Sequence, residues 1–107
     1  MPKYLMEARY TVEGVEGLVQ EGGTVRRERV AAMVAHLGGT LEAFHYAFGG
    51  ADVYLIVDLP DAPSAAALAM AVNRSGAARL RTHALLSPEE VDAATRMPVG
   101  YRPPGRG

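Results

Sequence analysis

The ionisable side chains that could work together in this chain fall in two alternating runs. Glu7 and Arg9 lie near the start; Arg79, Arg81 and His83 lie near the end. Successive residues of a strand point to opposite faces, so each run projects from one side of its strand. If the two strands are neighbours, a carboxylate, a guanidinium and an imidazole meet at the rim of one sheet face. Such a group can orient or deprotonate a small anionic or phenolic ligand. His83 is the candidate base, because its charge changes near neutral pH. The same spacing also suits a structural Glu7–Arg81 ion pair across the strands, and the sequence favours that plainer reading.

The other histidines point less clearly to chemistry. By strand parity His45 falls among aliphatic residues and reads as a hydrogen-bonded core histidine. A bulge near it would turn it to the opposite face, toward Glu7 and His83, as a possible metal-ligand set. No two histidines have a diagnostic ligand spacing, so no metal is assigned. His36 sits in the last turn of a helix, where positive charge suits the dipole. Arg26 and Arg27 fall in a first helical turn and oppose the dipole, so they need an anion nearby. Salt bridging to Glu21, Glu28 or a carboxylate of a second subunit is the favoured source over a phosphate-bearing ligand. There is no Gly-Lys-Ser/Thr loop, no Ser-His-Asp order, no paired-carboxylate spacing and no dinucleotide fingerprint, and no cofactor is read from the sequence. With no cysteine, there is no thiolate nucleophile, disulfide or cysteine zinc site.

The positioning elements are written more plainly. Lys3 to Tyr10 alternates and reads as a strand. Glu13 to Gln20 reads as a short helix softened by two glycines, and Glu21-Gly22-Gly23 breaks it. Thr24 can cap a second helix, in which Val30, Met33, Val34 and Leu37 form one apolar stripe. Thr40 to Phe48 and Asp52 to Leu59 are strands joined by a Gly49-Gly50 turn. Asp61 opens a helix with Pro63 in its first turn and an alanine-rich body, small enough to lie close on a sheet. Ala78 to Leu86 is a fourth strand. Ser87-Pro88-Glu89-Glu90 is a capping box before Val91 to Arg96. The order β-α-β-β-α-β, with a split first helix and a short terminal one, is the ferredoxin-like α+β plan. Residues 1–97 form the expected domain, and 98–107 a tail rich in Pro, Gly and Arg.

That plan covers one sheet face with helices and leaves the other bare. Parity assigns Met6, Ala8, Leu41, Ala43, Ala47, Val53, Leu55, Val57, Leu80, Ala84 and Leu86 to the helix side. The bare face then carries Phe44, Tyr46, Phe48, Tyr54 and Ile56 beside the ionisable runs. Exposed aromatic residues of this kind call for a cover, and a second copy of the same face supplies one. The expected ligand-binding residues are Glu7, Arg9, Tyr46, Tyr54, Arg81 and His83.

Length and charge bound these expectations. A chain of 107 residues is one domain. A net charge of −1 argues against a nucleic-acid or anionic-membrane surface. No segment approaches membrane-spanning length and no signal-peptide run is present, so a cytoplasmic location is expected.

Across nearly its whole length the chain resembles the GYD-domain family of small bacterial and archaeal proteins. The resemblance rests on Lys3-Tyr4, Ala8 and Tyr10, on Glu21-Gly22-Gly23-Thr24 with Arg26-Arg27, and on Leu37-Gly38-Gly39. Ala47-Phe48-Gly49, Asp52-Val53, Asp58-Leu59-Pro60-Asp61, Ala71-Val72-Asn73, Ser75-Gly76, Leu86, Pro88-Glu89-Glu90 and Tyr101-Arg102-Pro103-Pro104-Gly105 extend it. The family's naming motif, glycine–any–tyrosine–aspartate, departs here: Ala51 stands where the tyrosine belongs. The resemblance implies a dimeric α/β-barrel type of fold and carries no assigned activity. The expected function is a homodimeric binding or regulatory module for a small anionic or aromatic metabolite. One alternative is a cofactor-free enzyme of the dimeric α/β-barrel kind (monooxygenase, isomerase or decarboxylase), with His83 as base and Arg81 or Tyr46 orienting substrate. Another is a purely structural or interaction domain.

Overall fold

The computed structural model describes residues 1–105. Strand β1 (Lys3–Tyr10) leads to α1 (Val12–Glu21) and α2 (Gly23–His36), followed by β2 (Thr40–Tyr46) and β3 (Val53–Asp58). Helix α3 (Ala62–Ser75), β4 (Ala78–Leu85) and α4 (Pro88–Thr95) complete the chain. The four strands form one antiparallel sheet in the order β2-β3-β1-β4, the α+β arrangement of a ferredoxin-like fold. No described helix is long and apolar enough to cross a membrane.

Local sequence sets most boundaries. The Thr11 hydroxyl accepts the Gly14 N–H and donates to the Gly76 carbonyl, so it caps α1 and fastens it to the α3–β4 corner. Gly14 is buried in that corner, where an added Cβ would stand 1.9 Å from the Ala77 carbonyl oxygen. α1 and α2 meet at Gly22, whose φ of 90° suits glycine. Gly22 and not Thr24 is therefore the cap of α2, and Thr24 lies inside its first turn. Asp61 caps α3 through the Ser64 N–H, and Ser87 with Glu90 closes the expected capping box of α4.

The core lies between the sheet and helices α2 and α3. Met6, Val53, Leu55 and Val57 pack there with Val34, Ala65 and Leu68. Strand β2 departs from simple alternation. Leu41 pairs with Val57, but the next pair is Ala43 with Ile56, so Glu42 is an extra residue in a β-bulge. Beyond it every β2 side chain changes face. Phe44 and Tyr46, opposite Leu55 and Val53, join the helix-side core, while Ala43 and His45 move to the bare face. The expected faces of these four residues are thus reversed, and His45 is exposed rather than a core residue.

The hairpin also turns differently from its glycines' promise. Ala47 N–H donates to the Asp52 carbonyl and Gly49 N–H to that of Ala51, while Phe48 takes the positive φ of 57°. Ala51 is buried beneath the turn. Asp52 ties the hairpin to β1, its carboxylate accepting the Tyr10 N–H at 2.8 Å.

Candidate functional site

Strand register brings most of the expected residues together on the bare sheet face. Four side chains form one row across it: His45, Tyr54, Glu7 and Arg81. The next row is Ala43, Ile56, Leu5 and His83. Helices α2 and α3 pack on the opposite side, and α4 buries none of its residues. Glu7 meets His83 and not Arg81: the Glu7 carboxylate lies 2.6 Å from His83 Nε2. A carboxylate fixing an imidazole in this way is the orienting half of an acid–base pair. Arg9 stands directly opposite Arg79, and both are exposed. His45 has turned to the same sheet face as Glu7 and His83, with Tyr54 between it and Glu7. Even so, among the described residues no three histidine or carboxylate side chains are grouped to hold a metal ion.

Tyr46, expected on the same face, lies on the other side. Its hydroxyl donates to the Gly23 carbonyl at 3.1 Å. Its ring meets Phe44 edge-on at 5.2 Å and stacks on Phe48 at 5.7 Å. Beside it sits the Tyr10 phenol, pushed up to about 12 first by burial and then by the Tyr46 phenol. Burial raises the Tyr46 phenol as well.

Tyr10, but not Tyr46, borders a cavity of about 200 Å³ between the helices and the sheet. Its floor is Met6 and Leu55; its walls are Val30 of α2 and Leu68 and Val72 of α3. The polar groups at its edge are Tyr10, Arg26 and Ser75. Ala65 of the alanine-rich helix α3 is buried against the sheet, as expected, while the exposed Ala71 borders the cavity. Arg26 is held by Glu21, at 3.3 Å from Nε and 3.2 Å from Nη2, so the expected salt bridge supplies the anion that the first turn of α2 needs. Glu21 also takes Arg29 at 3.3 Å, and so keeps a cationic partner if Arg26 turns to a ligand.

A shallower cavity of about 440 Å³ shares Tyr10, Arg26 and Ala77 with the first and adds Glu13, Glu16 and Glu21. The two cavities therefore adjoin at Tyr10 and Arg26, with the acidic residues lining the second. Neither cavity is lined by His83.

Sequence reasoning missed Tyr10 and Arg26 as cavity residues. For the reversed faces of β2 a signal was available: large apolar residues at 41, 44 and 46 cannot share one face of an unbroken strand.

Searches of curated proteins and of solved structures found no match to the chain. The family model of the GYD domain matches residues 4–95. The chain therefore belongs to the GYD domain family.

Proposed function

We propose that this protein is a homodimeric binding module for a small aromatic or short apolar metabolite, held in the cavity between helices and sheet. The observation that carries the reading is an apolar chamber with a tyrosine hydroxyl and a guanidinium at one edge. An apolar space of this volume suits a single ring or short chain; a cavity of about 150 Å³ takes up benzene. Tyr10 and Arg26 would bind one accepting head group, a carboxylate or a carbonyl. Glu13, Glu16 and Glu21 in the adjoining cavity disfavour multiply charged anions such as phosphate esters. The dimer half of the reading rests on Leu5, Ile56 and Tyr54, which lie on a sheet face that helices α2 and α3 leave bare.

Binding is favoured over proton-transfer catalysis in this cavity because no imidazole or carboxylate lines its inner part. A second, enzymatic reading draws on one contact, Glu7 with His83, and would place the chemistry on the sheet face.

The test is NMR titration with phenylacetate and phenylacetamide. Shifts at Tyr10, Arg26 and Leu68 are expected, with Ala71→Phe abolishing binding by filling the chamber. Arg26→Gln should weaken phenylacetate about tenfold, the scale of one lost charge-assisted hydrogen bond. Shifts confined to His45, Tyr54 and His83 would transfer support to the sheet-face reading. No binding of either probe would sink the cavity proposal.

A further inference from the structure

Arg9 and Arg79 face each other directly across β1 and β4, with Arg81 two residues further along β4. Like charges in register repel, so this cluster calls for anions. Glu7, opposite Arg81, is engaged by His83, and no described ion pair involves any of the three arginines.

The chain's own C-terminal arm carries unused carboxylates. In α4, Glu90 closes the capping box, with its carboxylate on the Ser87 N–H at 2.8 Å, leaving Glu89 and Asp92 unengaged among the described ion pairs. Among the described residues the arm is little packed. α4 has no buried residue, and Leu86 and Tyr101 are 67% and 73% exposed. Isolated helices shorter than about 12–15 residues are marginal in water, so an eight-residue α4 needs something to pack against. The molecule is also too long for a compact chain: its radius of gyration is 17.2 Å, against about 13 Å for a domain of this length.

We infer that the arm, residues 86–105, packs on a second copy of the chain, with Glu89 and Asp92 of α4 over the partner's arginine cluster. The inference rests on the homodimer reading and deepens it. Within one chain α4 follows the end of β4, whereas Arg79 stands at its start, roughly 20 Å away at strand rise. A two-fold axis lying between the sheets and across the strands reverses strand direction. It carries each arm toward the start of the other copy's β4, and both contacts form at once.

The experiment uses two full-length variants, Glu89→Arg/Asp92→Arg in the arm and Arg9→Glu/Arg79→Glu on the sheet. All four positions are exposed. Dimerisation is measured by sedimentation for the parent, each variant and their equimolar mixture. Each variant alone should dimerise at least about tenfold more weakly than the parent, because two symmetry-related charge clusters become repulsive. The mixture should recover parental affinity, since only a heterodimer matches every arm to a complementary sheet. Variants that dimerise like the parent overturn the arm contact and leave the homodimer standing. Weakened variants that do not rescue each other also overturn it, by placing the contact within one chain. A parent that is monomeric throughout removes the homodimer reading, and the arm contact with it.

Discussion

Tyr10 sits at the edge of an apolar chamber with the Tyr46 phenol beside it, and both phenols prefer to stay neutral. For Tyr10, burial is the main cause and Tyr46 the next. The sign follows from the direction of the shift. A raised phenol favours the neutral form in the fold, so its contribution to stability is complete below about pH 10, the range of a free tyrosine. That contribution is lost as pH climbs through about 12. The denaturant midpoint should therefore hold steady to about pH 10 and fall above it. An absorbance titration of the five tyrosines should show late-titrating phenol, and Tyr10→Phe should remove its latest component. Five phenols titrating together would contradict the placement of Tyr10.

Elements are held to one another by close backbone approach as much as by side chains. At the α1 corner the Thr11 N–H reaches the Ala77 carbonyl at 3.0 Å, and Gly14 packs against the same carbonyl group. Gly14→Ala must push the two segments apart. It should cost about 2–3 kcal/mol, the scale of an overpacked core, in chemical denaturation. Gly17→Ala on the same helix meets nothing within 4 Å and serves as the control, with a neutral or slightly stabilising effect. The caps, the alternating strands and the order of elements were legible because each depends on a few neighbouring residues. The bulge at Glu42 was not, because pairing across strands decides where an extra residue is absorbed. Its effect reached the site: Tyr46 went to the chamber's side and His45 to the sheet face. The chamber was illegible for another reason. An alanine-rich helix face can close on a sheet or leave a gap, and only summed side-chain volume separates the two.

On the scale of the whole molecule, one sheet face and a projecting arm lie outside the single core. If both are covered by a second copy, folding and association are linked, and the melting temperature depends on concentration. A dilution series over on the order of a hundredfold should lower the melting temperature progressively. A melting temperature that ignores dilution would mean that the monomer carries its full stability alone.

The bulge at Glu42 has a consequence for colloidal behaviour. β2 is an edge strand, and an unbroken edge offers backbone groups to any other extended chain. An extra residue interrupts that template, and the opposite edge, β4, presents Arg79, Arg81 and His83. Sheet extension from either side is thereby discouraged, which favours closed assemblies of a few copies over fibrils that grow without limit.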